Sequence, residues 1–86
     1  MTILDEAKSI VYGDREESYS PPENSFAQIA ALWSPVLGIT ITPEQVGLCM
    51  IQLKVARQRH KHKRDNLVDI AGYAECISRL DEGKGK

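Results

Sequence analysis

The chain has 86 residues, a formal net charge of −1, and a composition that is 42% hydrophobic and 27% charged. These values are typical of one folded domain, and they exclude a disordered or fibrous chain. The charges are nevertheless segregated along the sequence. Residues 1–24 carry six acids and two bases, whereas residues 57–64 carry five bases and no acid. The near-neutral total therefore conceals a concentrated basic tract, which favours a localised anion site or a charged contact between subunits.

The first 24 residues predict one helix and one loop. Thr2 and Asp5 have the spacing of a capping box, and apolar residues at helical intervals follow them. Gly13 is expected to end this helix. Residues 13–24, with the sequence GDREESYSPPEN, are polar and contain two prolines, so we predict a surface loop there.

The middle of the chain predicts two further helices. A short amphipathic helix should begin after a cap at residue 24 or 25, and Pro35 is expected to cut it off. The motif TPEQV then combines Thr42 as N-cap, Pro43 at the first helical position and Gln45 as the capping-box glutamine. A third helix should therefore begin at Pro43.

The third helix has apolar residues on two different faces. One stripe consists of Val46, Cys49, Met50, Leu53 and Ala56, and the other consists of Leu48, Ile51 and Val55. Because both faces are apolar, we predict a central helix that packs against two neighbours. Cys49 and Cys76 lie in apolar helical patterns without zinc-site spacing, so we expect two buried thiols in a reducing compartment.

A fourth helix is predicted from Asp65 as N-cap, followed by a flexible tail at residues 81–86. No segment has convincing strand alternation. The expected fold is therefore a single all-α domain over residues 1–86, a bundle of three to four helices whose last two form an antiparallel hairpin. The sequence shows no apolar leader and no membrane-length apolar window, so we expect a cytoplasmic protein that does not contact membranes.

The basic tract suggests a site for phosphate. Lys54, Arg57, Lys61 and Arg64 recur every three or four residues and would form one cationic edge if the helix persisted. Arginine and lysine at such spacing suit a small phosphorylated ligand. A pI near 6.1 makes duplex DNA a poor partner. A solvated helix end, favoured by the helix dipole, is the alternative interpretation.

Other residues could complete a nucleotide site. Asp69 could orient the cations or accept a hydrogen bond from ribose. Tyr73 lies one helical turn later, next to Gly72, and could stack on a base. Arg15 and Tyr19 in the predicted loop are further candidates for ligand binding. Packing of Tyr73 against the core remains the alternative interpretation for that residue.

The acidic residues offer a second chemistry, because carboxylates are the ligands that Mg²⁺ prefers in proteins. Asp65 and Asp69 share one helical face, and only Asp14 and Glu17 in the predicted loop could complete a magnesium site with them. His60 and His62 are two residues apart and point to different sides of a helix. We therefore expect two exposed histidines rather than metal ligands.

Two stretches carry a resemblance to known families. GDR…Y…NSF…IA.LW, followed by LKVAR…RDNLVDIAGYA, resembles a small family of bacteriophage proteins over residues 3–78. More distantly, the late D-x-x-x-D-x-x-x-Y pattern resembles the all-α nucleoside triphosphate pyrophosphohydrolases of the MazG type, which hold magnesium between acidic pairs on neighbouring helices. That resemblance implies Asp69 as a ligand, with Asp65 at a different separation and the first pair, Asp14 and Glu17, in a loop. The departure favours binding without turnover.

Three hypotheses follow for function. The first is a phage protein that binds a phosphorylated, nucleotide-derived small molecule, with the phage resemblance implying sequestration of a host defence messenger. The second is a MazG-like magnesium-dependent pyrophosphohydrolase. The third is a protein-binding inhibitor whose basic tract docks on an acidic host surface. A chain this small has a modest core, so we also expect a homo-oligomer.

Overall fold

A computed structural model describes residues 1–12 and 22–83 of the chain. Within these two ranges the chain forms four α-helices and no strand. The helices are α1 (Ile3–Tyr12), α2 (Pro22–Leu37), α3 (Pro43–His60) and α4 (Arg64–Gly83). The predicted all-α fold is confirmed. Residues 13–21 and 84–86, which include most of the predicted loop and half of the predicted tail, lie outside the described residues.

Both predicted capping boxes are present. At α1, the backbone N–H of Asp5 donates to Thr2 Oγ1 at 3.1 Å, and the backbone N–H of Thr2 donates to Asp5 Oδ2 at 3.2 Å. At α3, Thr42 and Gln45 exchange the same two bonds, at 3.1 and 2.9 Å. Pro43 occupies the first turn, where its missing N–H costs no intrahelical bond. Local polar chemistry therefore determines where these two helices begin.

The bounds of α2 differ from the prediction at both ends. The helix begins at Pro22, because proline is compatible with the first turn, where the N–H is not needed. It continues past Pro35 to Leu37, so the prediction that this proline ends the helix was wrong. The helix stops at Gly38, which has a φ of 73° and donates its N–H to the Ser34 carbonyl at 2.9 Å. A glycine in the left-handed conformation is a common helix terminator.

The central helix of the bundle is α4, which packs against each of the other three helices. The helix α3 packs against two neighbours, α2 and α4, as predicted, but α4 has more neighbours and is the more central helix. Pairs along α3 and α4 run in opposite order: Gln58 meets Asn66, Lys54 meets Asp69, and Gly47 approaches Ile77. The buried cluster at the centre consists of Val11, Phe26, Ala30, Val46, Cys76 and Leu80.

The second apolar stripe of α3 is not covered by another helix. Leu48 and Val55 of this stripe are 49% and 37% exposed, and Ile51 is half-buried. Leu53 of the first stripe is 47% exposed. Cys49 is also exposed, so its prediction as a buried thiol was wrong, whereas Cys76 is buried as expected. The cause is that both neighbours of α3 pack on the side that carries Val46 and Gly47.

Within the described residues, no helix is long and apolar enough to cross a membrane.

Candidate anion-binding site

The basic tract forms the end of α3 and the connection to α4. The helix α3 ends at His60, because Lys61 adopts an extended conformation (φ −156°, ψ 124°) while its N–H still bonds to the Arg57 carbonyl at 3.0 Å. The helix α4 begins at Arg64. Asp65 therefore lies in the first turn of α4 and is not its N-cap, so that prediction was wrong. The tract is bent at Lys61 and does not continue as one helix.

Two neutral side chains shape this connection. Asn66 is 5% exposed, and its Nδ2 donates to Gln58 Oε1 at 3.2 Å. The backbone N–H of Lys63 donates to the same Gln58 oxygen at 3.2 Å. The Asn66 N–H in turn donates to the Lys63 carbonyl at 3.0 Å. Neither residue was predicted from the sequence. The sequence feature that could have indicated them is the presence of two neutral amide side chains, Gln58 and Asn66, in or next to the basic tract.

Four cationic side chains surround this connection, and we call them the basic turn: Arg57, Arg59, Lys61 and Lys63. All four are exposed. The two ion pairs found among the described residues involve other cations, so none of the four has a carboxylate partner there. His60 and His62 are exposed beside them, as expected, and His62 Nδ1 lies 2.5 Å from Gln58 Nε2. The basic turn therefore concentrates positive charge that the described fold does not neutralise.

The two other predicted phosphate-binding cations are held by internal carboxylates. Lys54 Nζ lies 2.9 Å from Asp69 Oδ2, and the two side chains are only 19% and 28% exposed. Arg64 forms an ion pair with Glu6, and its guanidinium also donates to the Met1 carbonyl at 2.7 Å. The structure therefore divides the predicted cationic edge. Lys54 and Arg64 join helices to one another, and Arg57 and Lys61 remain available to a partner.

The other predicted ligand-binding residues on α4 have packing roles. Tyr73 is half-buried, and its ring lies against Phe26 with 6.4 Å between the centroids. Gly72 is buried because α1 approaches there: a Cβ on Gly72 would lie 3.6 Å from Val11 Cγ2. The space beside Gly72 is therefore occupied by α1, at an ordinary van der Waals distance. Arg15 and Tyr19 lie outside the described residues.

The predicted magnesium ligands are not brought together in the described part of the chain. Asp69 is engaged by Lys54, and Asp65 is exposed in the first turn of α4. Asp14 and Glu17 lie outside the described residues. Across residues 1–12 and 22–83, no group of three or more His, Cys, Asp or Glu side chains could hold a metal ion.

A shallow groove of about 180 Å³ lies between α1 and α4. It is lined by Leu4, Lys8, Tyr12 and Glu75, and the Tyr12 hydroxyl donates to the Glu75 carboxylate. None of these residues belongs to the basic turn. The groove and the basic turn are therefore separate features.

These observations define a small all-α domain with an exposed cationic connection between two helices. The chain belongs to the family described as a domain of unknown function (DUF6378), whose model matches residues 2–81. The expected membership of a family of phage proteins is supported by two similar proteins, each called Gene 55 protein. The one from Mycobacterium phage D29 is 38% identical over 82 residues, which is 94% of this chain and 54% of the relative.

The Gene 55 protein of Mycobacterium phage L5 is also 38% identical over 82 residues, covering 93% of this chain and 53% of that protein. The chain thus spans about half the length of the curated relatives it matches. No solved structure matches the chain. Neither these relatives nor the family description shows a likeness to MazG-type enzymes.

Proposed function

We propose that this chain is a phage-family binding protein whose basic turn docks onto an acidic surface of another protein. The observation that carries the proposal is the exposure of Arg57, Arg59, Lys61 and Lys63 without a carboxylate partner among the described residues. Like charges held this close repel one another, and a negatively charged partner relieves that repulsion. The neighbouring cations Lys54 and Arg64, by contrast, each form an ion pair with a carboxylate on another helix.

The shape of the site favours a protein partner over a small ligand. Ligands of nucleotide size are usually bound in concave, largely apolar pockets that cover most of their surface. The basic turn consists of exposed side chains at a helix end, and the described groove lies elsewhere. Exposed charges of this kind act mainly by steering and orienting an encounter between surfaces. The phage relatives suggest a protein of the infected bacterium as the partner, in keeping with an inhibitor of a host system.

Duplex nucleic acid fits the chain less well. Proteins that bind duplexes carry a positive face and an excess of positive charge, since each phosphate contact neutralises one lysine or arginine. This chain has a net charge of −1. Asp5 and Glu6 in the first turn of α1 would repel an extended polyanion that reached them.

Capture of a nucleotide-derived molecule, without turnover, is the second candidate. It is favoured by the two guanidinium groups in the last turn of α3, since Arg57 and Arg59 could each grip a phosphate bidentately. Lys61 would supply a further positive charge. The ligand would then be held by these residues instead of Lys54 and Arg64. Sequestration of a host defence signal is the biological role that this candidate would have.

Hydrolysis has weaker support. In-line attack on a phosphoanhydride requires metal ions fixed at the attacking and leaving oxygens. Asp69, the residue that best matches the MazG pattern, is bound to Lys54. We therefore propose no turnover.

One set of titrations tests the binding proposals. Fluorescently labelled oligoglutamate serves as a model acidic surface, and adenosine and guanosine nucleotides, linear and cyclic, serve as competitors. The test variant replaces all four residues of the basic turn by glutamine, and Lys8→Gln is the control because Lys8 is an exposed cation on α1. We expect oligoglutamate to bind, the fourfold variant to weaken that binding at least tenfold, and the control to bind like the native chain.

The outcomes separate the candidates. Oligoglutamate binding that nucleotides do not displace supports the protein-docking proposal. A nucleotide that binds more tightly than oligoglutamate, and loses affinity in the fourfold variant, supports nucleotide capture. If neither probe binds, or if the fourfold variant binds as well as the native chain, both proposals are wrong.

A further inference from the structure

The helix α3 has an apolar face that the described fold leaves uncovered. We call it the outer face of α3, and its residues are Leu48, Cys49, Leu53, Val55 and Ala56. All five are exposed, and Leu48 and Leu53 are each almost half exposed. The opposite side of the helix already packs on α2 and α4. A helix that is apolar on both sides is normally buried on both sides, and the described residues provide a neighbour for only one side of α3.

The outer face has the spacing of a helix-pairing surface. Leu48 and Val55 are seven residues apart, as are Cys49 and Ala56, so both pairs repeat along the same side of the helix. The small side chains of Cys49 and Ala56 lie between the larger ones and would let another helix approach closely. Gln52 lies at the centre of this surface and is exposed. The face is therefore suited to a partner helix that lies along it.

The charges at the two ends of α3 indicate which helix that partner is. Glu44 lies in the first turn, and Arg57, Arg59 and His60 lie in the last turn. A second α3 helix in antiparallel orientation would bring each Glu44 beside the partner's basic last turn. The dipoles of two antiparallel helices also point in opposite directions, which brings ends of opposite partial charge together and is favourable. A parallel arrangement would instead place the two basic ends together. The outer face is self-complementary, as a twofold interface requires.

The geometry points to a homodimer in which the outer faces of two α3 helices pair in antiparallel orientation, with the twofold axis close to Gln52. Positions whose numbers sum to 104 then face one another: Leu48 lies opposite Ala56 of the second copy, and Glu44 lies opposite its His60. This pairing does not depend on the proposed function. It would place the two basic turns at opposite ends of the paired helices.

The size of this surface predicts a reversible dimer. An α-helix of 18 residues is about 27 Å long. Two such helices in contact bury an area toward the lower end of specific interfaces, below about 1,200 Å². Interfaces of this size are typically transient, so we expect association that depends on protein concentration.

Sedimentation velocity over about 1 μM to about 1 mM, a range in which weak interfaces fill, measures this association. We expect the native chain to shift from monomer to dimer, and Leu48→Glu to weaken dimerisation at least tenfold. Leu4→Glu on α1 and Leu32→Glu on α2 are matched controls, because these leucines are 73% and 71% exposed but lie on other helices. Both controls should dimerise like the native chain, and circular dichroism should show that all three variants fold.

Two results would overturn the dimer proposal. The first is a native chain that stays at its monomer mass of 9.6 kDa over the whole range, which would leave the outer face to a different protein. The second is a dimer that Leu48→Glu does not weaken, or that Leu32→Glu weakens equally, which would place the interface elsewhere.

The orientation has its own test. In a Cys49→Ser background, Leu48→Cys and Ala56→Cys chains are mixed and oxidised. Antiparallel pairing predicts a disulfide between the two different chains, because positions 48 and 56 face each other. Two copies of position 48 would lie about 12 Å apart along the axis, beyond disulfide reach. Disulfides that form only between identical chains would contradict the antiparallel arrangement.

Discussion

Two glycines in the helix contacts differ in how closely a neighbouring side chain approaches them. A Cβ on Gly47 would lie 2.5 Å from Ile77 Cγ1 and 3.1 Å from Phe26 Cε2, whereas a Cβ on Gly72 would lie 3.6 Å from Val11 Cγ2. We expect Gly47→Ala to destabilise the fold by about 1–3 kcal/mol through overpacking. Gly72→Ala should be neutral or stabilising by up to about 1 kcal/mol, because alanine is the better helix former. Chemical denaturation of both variants measures the difference.

The contrast also tests the interpretation of Gly72. If Gly72 were kept for a ligand, Gly72→Ala would reduce ligand binding whatever its effect on stability. Destabilisation by Gly72→Ala comparable to that by Gly47→Ala would show that α1 packs more tightly on α4 than the described contact indicates.

The environment of Asp5 changes the acidity of its carboxyl group. The backbone N–H of Thr2, and then the Thr2 hydroxyl, hold the pKa of Asp5 below its ordinary value of 3.8. Because the folded-state pKa is lowered, the stabilisation contributed by the ionised Asp5 carboxylate is fully present above pH 3.8. It is lost as the pH falls through the folded-state pKa.

A carboxyl titration by nuclear magnetic resonance checks this prediction. The pKa of Asp5 should lie below 3.8 in the native chain, and Thr2→Val should raise it only partly, since the backbone N–H remains. A value at or above 3.8 in the native chain would mean that the capping box does not persist in solution.

At the scale of helices, features formed by residues close together in the sequence could be predicted, whereas features formed by residues far apart in the sequence could not. Thr42 and Gln45 are three residues apart, so their capping box was readable from the sequence alone. The end of α2 was predicted wrongly, because the helix accommodates Pro35 and ends at Gly38. The Ser34 hydroxyl then connects this helix end to the segment that follows, since it donates to the Ala30 carbonyl and accepts the Ile41 N–H. Partners distant in sequence, such as Arg64 with Glu6, cannot be derived from local spacing.

The same limit applies to the candidate site. The spacing of Lys54, Arg57, Lys61 and Arg64 assumed one continuous helix, and Lys61 breaks it. Local spacing does not decide which of the nearby cations pairs with Asp69, and the fold selects Lys54. Arg59 and Lys63 were not predicted to bind the ligand, because on a straight helix they would lie on a different face from the other cations. Once the chain bends between α3 and α4, all four cations of the basic turn are exposed together.

Because Arg64 is paired within the fold and Arg57 is not, we expect substitutions of these two arginines to affect different properties. Arg64 attaches α1 to the start of α4 through Glu6 and the Met1 carbonyl. We expect Arg64→Gln to destabilise the fold by less than about 1 kcal/mol, since the side chain is half exposed, and to speed amide exchange in α1. Arg57→Gln should leave exchange unchanged and weaken oligoglutamate binding. If Arg64→Gln weakened binding as much as Arg57→Gln, the assignment of Arg64 to folding would be wrong.

At the scale of the whole molecule, two proposed surfaces rely on different forces. The basic turn is cationic and exposed, so a partner there is held largely by charge. The outer face of α3 is mostly apolar, with the neutral Gln52 at its centre and opposite charges only at its ends. Salt should therefore affect the two associations unequally, since screening shortens the range of charge interactions from about 10 Å at 0.1 M to about 3 Å at 1 M.

We expect oligoglutamate binding to fall at least tenfold between these two salt concentrations. The dimerisation constant should change by less than about threefold, because only the contacts of Glu44 with the partner's last turn are screened. Replacing chloride by sulfate should strengthen dimerisation, since sulfate favours apolar burial. Fluorescence anisotropy and sedimentation on the same samples provide both values. A dimer that dissociates in parallel with oligoglutamate would be held by the basic turn, and the outer face of α3 would then need another partner.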